Sequence, residues 1–241
     1  GQWVTMIPAL QRGGGRASPW GRFLRAREEV DTILFDEIGR RRLDSEATAE
    51  RSDVLSLLMQ ARDEDGEPMT DLELRDELVT MLVAGHETTA TTLAWTFERL
   101  LRHPKALERL QAEVTLGEES SYLDAVIKET LRVRPVLNYA MRRLASPTRV
   151  GAYDLPAGWQ IAVSLVLVGL REDLYPEPLA WRPERFLNRT PETYGWIPFG
   201  GGVRRCLGAS FAHYEMTTVL RRIVERCDLR AAEPASEMRK R

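Results

Sequence analysis

The chain has 241 residues, 43% hydrophobic and 29% charged, enough apolar material for one or two globular domains with a real core. Its formal net charge of -2 excludes the strongly basic balance of a chain that binds nucleic acid over its whole surface. Two cysteines, Cys206 and Cys227, make neither a disulfide framework nor a zinc pattern, so a reducing, cytoplasmic setting is expected.

The first residues, GQWVTMIPAL, lack the basic flank and sustained apolar run of a signal peptide. The longest apolar stretch, IAVSLVLVGL (161–170), is too short to span a bilayer, so no membrane span is expected. An anchor further upstream stays open, because the chain starts at glycine. Residues 1–16 read as a flexible lead-in, within which the run QRGGGRASP (11–19) begins.

From Trp20 to Arg42, the apolar residues Phe23, Val30, Leu34 and Ile38 recur near helical spacing among many charges. This predicts an amphipathic surface helix. DVLSLLMQARDEDGEP (53–68) predicts a shorter helix closed by an acidic turn. TDLE (70–73) is a capping box in which Thr70 caps and Glu73 reaches back. No proline follows Asp71 until Pro104, which allows one helix of 32 residues, about 48 Å long at 1.5 Å per residue. The alternative is two helices broken near Gly85. The apolar middle, LVTMLVAG (78–85), should be buried.

Pro104 opens another helix, PKALERLQAEV, and SYLDAVIKETLRVR (121–134) is helical up to Pro135. RVGAYDLPAGWQIAVSLVLV (149–168) sets turn residues, Gly151 and Pro156–Gly158, between β-friendly runs. A proline-rich irregular stretch follows. The last helix runs from about Cys206 to Arg226, and residues 231–241 form a polar tail. No internal repeat is present. The fold class is mainly α with minor β.

The chemistry concentrates in FGGGVRRCLG (199–208). Its glycines let the backbone turn tightly and approach a flat ligand closely. A helix N-terminus suits an anionic cysteine sulfur at Cys206. Gly208 allows close approach on the helix's first turn. Arg204 suits a carboxylate beside the bound group. A thiolate held this way is a ligand for a soft metal centre, haem iron among them. The bland alternative is a buried, inert cysteine beside a glycine turn.

The stretch matches F-x-x-G-x-R-x-C-x-G and resembles the haem-ligand signature of the cytochrome P-450 family. A chance match at this composition is on the order of 1 in 30,000. AGHETTA (84–90) resembles the family's distal-helix motif, and its threonines can back-bond and loosen the helical ladder. KETLR (128–132) resembles the E-x-x-R pair, with Arg185 of WRPERF (181–186) as its third member. PVLNYAMRRL (135–144) resembles the segment lining the haem edge.

The resemblance implies a cytochrome P-450-like fold over residues 17–230 and a haem–thiolate monooxygenase. Cys206 would be the axial ligand of haem b. Phe199, Arg204, Gly208, Gly85 and Arg142 would lie about the cofactor, with Arg143 close behind. With O2 as co-substrate, Thr88 would donate a hydrogen bond to the bound oxygen and Glu87 would feed protons. An apolar small-molecule substrate would meet Val83, Ala84, Leu137 and Tyr139. Electrons would come from a ferredoxin or flavoprotein, which Arg205, Arg221 and Arg222 could dock. The Glu129–Arg132–Arg185 group would be a folding element.

The resemblance covers only the family's C-terminal half, so the fold is expected to be incomplete. The alternative is a truncated member of the family that is non-catalytic alone. VGLRED (168–173) departs from the pattern, with Gly169 and Leu170 where relatives often carry histidine. A distant alternative is a zinc hydrolase, because His86–Glu87 begin H-E-x-x-H. Position 90 is alanine, which leaves that site without its second histidine. Cys227 is expected to be a small core residue at the end of the last helix.

Overall fold

The computed structural model describes residues 15, 18–117 and 121–231, so most of the lead-in and all but the first residue of the tail lie outside the described residues. Contacts divide the chain into residues 1–84 and 85–241.

The first unit holds α1 (Pro19–Leu43), α2 (Ser45–Ala49), α3 (Val54–Gln60) and the start of α4 (Asp71–Arg102). Local chemistry sets each start. Ser18 Oγ accepts from the Gly21 amide at 3.0 Å, with Pro19 opening the first turn. Asp53 caps α3 by accepting from the Ser56 amide at 3.1 Å. Hydrogen bonds from Arg51 and Ser56, with Arg41 adding its charge, hold the Asp53 carboxyl well below the usual carboxylate range. The expected capping box is present at α4. The Thr70 amide donates to Glu73 Oε2 at 2.7 Å, and Thr70 Oγ1 accepts from the Glu73 amide at 3.3 Å. Ile38, Leu55 and Leu74 form this unit's small core.

Helix α4 runs unbroken for 32 residues, so there is no break at Gly85. Its apolar middle is not buried, contrary to expectation. Residues 80–87 are all exposed, with Met81 44%, Leu82 59% and Val83 68% accessible. Apolar composition creates a demand for cover that Met81, Leu82 and Val83 meet only in part.

The second unit continues from α4 into α5 (Pro104–Leu116) and α6 (Ser121–Val133), and closes with α8 (Ala209–Arg226). Leu100, Leu110, Leu123, Val126, Ile127, Met216 and Leu220 from these four helices make the main core. Between α6 and α8 lie β1 (Tyr139–Arg143), β2 (Thr148–Val150), β3 (Tyr153–Leu155), β4 (Gln160–Ser164) and α7 (Leu165–Gly169). Strands β1 and β4 pair antiparallel, from Tyr139 opposite Ser164 to Arg143 opposite Gln160. Strands β2 and β3 form a separate hairpin. Two 3-10 turns, Pro183–Phe186 and Gly202–Arg204, mark the irregular stretch.

Three further expectations are corrected by the structure. The run Leu165–Val168 is helical, not extended. Ser164 Oγ accepts from the Leu167 amide at 3.2 Å and turns the chain into α7. The last helix begins at Ala209 with Gly208 as its N-cap, so Cys206 lies two residues before the cap. Cys227 is exposed at the C-cap of that helix and is not a core residue. Leu220 and Val224 fill the core from this end of the helix, leaving the cap outside it.

Candidate functional site

The cysteine loop is closed by its own backbone. The Gly200 amide donates to Ile197 at 2.9 Å and the Arg205 amide to Gly202 at 3.1 Å. The Cys206 amide donates to the Phe199 carbonyl, also at 2.9 Å. Gly200 and Gly202 have φ of 72° and 63°, a left-handed region where a side chain would be strained. Phe199 packs against the main core. Cys206 is exposed. Its neighbours Val203 and Leu207 are wholly accessible, an unusual state for two aliphatic side chains beside a thiol. Arg204 is exposed, and a Cβ on Gly208 would meet nothing within 4 Å.

Beneath the loop, the E-x-x-R pair is wholly buried. Arg132 Nε donates to Glu129 Oε2 at 2.7 Å, and Nη2 donates to Oε1 at 2.8 Å. Its remaining donors reach the carbonyls of Gly169 at 2.6 Å, Pro178 at 2.8 Å and Ala180 at 3.1 Å. All five guanidinium donors are therefore used. Glu129 also accepts from the Arg182 amide at 2.8 Å. Arg185, the expected third member, places Nε 3.4 Å from Glu129 Oε1. That contact is an ion pair without hydrogen-bond geometry. Burial pushes the Arg185 guanidinium down from its ordinary value, and the Glu129 charge opposes it. Glu129, Arg132 and Arg185 thus meet as the resemblance implied.

On α4, Gly85 and Glu87 are exposed, and Thr88 Oγ1 lies 3.4 Å from the Gly85 carbonyl. That is long for a hydroxyl hydrogen bond. The back-bonding continues with Thr92 to Thr88 at 3.0 Å and Thr96 to Thr92 at 2.8 Å, without interrupting the helix. Arg142 is exposed on β1 and donates to the carbonyl of Met141 at 2.7 Å. Among the described residues, no hydrogen bond or ion pair joins Glu87 or Arg142 to the cysteine loop. His213 Nε2 pairs with Asp124 Oδ1 at 2.8 Å, and His103 packs its ring on Trp181 at 4.8 Å.

Three contacts are not legible in the sequence. Glu113, on α5, accepts from the amides of Tyr122 at 2.7 Å and Leu123 at 3.0 Å, capping α6 from another helix. Gly169 lies hard against Arg132. Trp196 donates its indole N–H to the Lys128 carbonyl at 3.1 Å. None of these contacts joins residues at a local helical spacing, so no sequence signal reveals them. Trp196, Phe199, Tyr194, Lys128 and Arg205 line a groove of about 250 Å³ beside the cysteine loop.

A family model described as Cytochrome P450 matches residues 16–240. The chain belongs to the cytochrome P450 family. Cytochrome P450 137 of Mycobacterium tuberculosis is 45% identical over 234 residues, covering 97% of this chain and 48% of its own length. Cytochrome P450 135B1 of Mycobacterium bovis is 46% identical over 247 residues, covering 98% of this chain and 51% of its own. Among solved structures, the retinoic acid-bound cyanobacterial CYP120A1 superposes with a TM-score of 0.73 at 29% identity, covering 90% of this chain and 52% of that one. The cytochrome P450 CYP102L1 superposes with a TM-score of 0.76 at 25% identity, covering 92% and 53%. This P450 chain therefore spans about half the length of the relatives it matches. No helix among its described residues is long and apolar enough to cross a membrane.

Proposed function

We propose that this chain supplies the thiolate side of a haem monooxygenase site, with Cys206 as axial ligand. The observation that carries the reading is the exposed sulfur on a loop closed by its own amide onto Phe199. The residues around it fit a haem. Val203 and Leu207 offer accessible apolar surface beside the sulfur, and Gly208 leaves open space where a side chain would stand. Arg204 and Arg142 offer exposed guanidinium groups for acidic ring substituents. Haem bound there would supply dioxygen activation and insertion of one oxygen atom into an apolar small molecule.

The chain's own residues take definite parts in this reading. Phe199 backs the loop with an apolar ring and excludes water from that side. Glu87, with its carboxylate open to solvent, exchanges protons with water and passes them toward Thr88 Oγ1. Exposed Leu137 and Tyr139 offer an apolar face to substrate. Arg205 and Arg222, both exposed, offer cations to an acidic ferredoxin or flavoprotein donor. The test is the difference spectrum of the reduced protein with carbon monoxide after haem addition. A thiolate-type Soret band in the wild type and none in Cys206→Ser is expected. An identical band in both refutes the reading.

The exposure of Met81, Leu82 and Val83 favours a second reading of the 241-residue chain taken alone. By itself it holds haem weakly and turns over no substrate, because the apolar Met81, Leu82 and Val83 of α4 stand exposed. A weak, dissociable band is expected from the isolated chain. A strong band that survives gel filtration refutes this second reading.

A further inference from the structure

Three backbone hydrogen bonds close the cysteine loop on itself, and all three lie within residues 197–206. None of these ties the loop to a helix. Trp196 does. Its indole N–H donates to the carbonyl of Lys128 on α6, 68 residues earlier and next to Glu129. A carbonyl has two lone pairs, so Lys128 can accept the indole in addition to its helical partner. The Trp196 ring meets Phe199 edge-on at 6.1 Å and Phe186 edge-on at the same separation. The half-buried indole thereby packs against the main core and against a smaller cluster of Ala125, Tyr175 and Phe186. Tyr194 also lies on the loop, against Gly201, but it is 72% exposed and is a weak anchor.

We propose that Trp196 is the positioning residue of the cysteine loop. Its N–H registers the loop against α6, and its ring edge fixes Phe199. The Phe199 carbonyl in turn holds the Cys206 amide. The sulfur is thus set against the helix that carries Glu129 and Arg132. The consequence at iron rests on reading Cys206 as the haem ligand, but the loop geometry does not.

Amide hydrogen exchange in the haem-free chain tests this. Trp196→Phe keeps an aromatic ring and loses the donor. The Cys206 amide should exchange roughly five-fold faster, as the loss of one hydrogen bond predicts. The amide of Ile127, fully buried on α6, should not change. A Cys206 amide that stays the same, or that accelerates together with Ile127, overturns the proposal. If the variant does not fold, the unaltered chain still decides. The Trp196 indole N–H should exchange at least about tenfold more slowly than that of Trp159, which is 57% exposed. Equal rates overturn the proposal. In haem-loaded protein, Trp196→Phe should also move the Soret maximum of the carbon monoxide complex, and an unmoved maximum overturns the extension to iron. If neither protein gives a thiolate band, the haem reading falls and the amide comparison decides this one.

Discussion

Gly169 and Arg132 touch so closely that a Cβ on Gly169 would sit 2.5 Å from the Arg132 carbonyl oxygen. The Gly169 carbonyl also accepts from Arg132 Nη1 at 2.6 Å. A glycine is required here for space alone. Gly169→Ala should destabilise the chain by about 1–3 kcal/mol through overpacking, because the obstacle is backbone and cannot swing aside. Chemical denaturation against the wild type measures it. An unchanged midpoint would mean that α7 shifts freely off α6.

The Glu129–Arg132 pair is buried to the point that neither side chain touches solvent. Removing one partner strands a charge. Arg132→Met should cost about 3–5 kcal/mol, and Glu129→Leu a similar amount. The double variant should cost clearly less than the sum, because the paired charges leave together and only Arg185 loses a partner. A double-mutant cycle by denaturation checks this, and simple additivity would contradict the buried pairing.

Glu113 reaches across from α5 to satisfy two amides at the start of α6. Glu113→Ala should cost about 1–2 kcal/mol, as other cap deletions do. Glu113→Gln, which keeps one acceptor oxygen, should recover part of this. Equal losses for the two variants would show that the side chain's volume, and not its acceptor oxygens, is what α6 needs.

Asp124 lies between Lys128 at 2.6 Å and His213 at 2.8 Å. Burial raises its pKa, but the hydrogen bonds and charges of His213 and Lys128 outweigh burial, and the net shift is downward. A carboxyl depressed on folding contributes stability above its unfolded pKa and loses it as the pH falls through the folded one. The advantage of wild type over Asp124→Asn should therefore be full above the ordinary aspartate range and shrink in more acid solution. Unfolding at a series of pH values measures it. An advantage that grows on acidification would reverse the assigned sign.

Arg204 is exposed two residues before Cys206. If it holds a haem propionate, Arg204→Leu should weaken haem binding by roughly tenfold, the worth of one charged hydrogen bond. Titration of the Soret band reads this. An unaltered affinity would remove Arg204 from the cofactor site while leaving Cys206 in place.

Several parts of this P450 chain were legible before any fold was known, and each is local. The Thr70–Glu73 box spans three residues, so its geometry follows from the first helical turn. Glu129 and Arg132 are three residues apart and share a helix face by the helical repeat. The glycines of the cysteine loop announce a backbone that other residues would strain, and Gly200 and Gly202 adopt it. The β-friendly run Leu165–Val168 was misread because four aliphatic residues suit a strand or a helix equally well. Only the Ser164 cap resolved it.

Residue order alone determined the E-x-x-R pair and the cysteine motif, because each depends on neighbours within a turn or a loop, while it left α4 open between one helix and two. Tertiary structure decided the rest. It showed that residues 80–87 of α4 are exposed, that Glu113 caps a helix other than its own, and that Gly169 must be small for Arg132. It also showed that the Trp196 indole donates to a carbonyl 68 residues back. Such contacts join residues whose separation in sequence carries no periodic signal, and burial is a property of what lies opposite a side chain, which no single segment encodes.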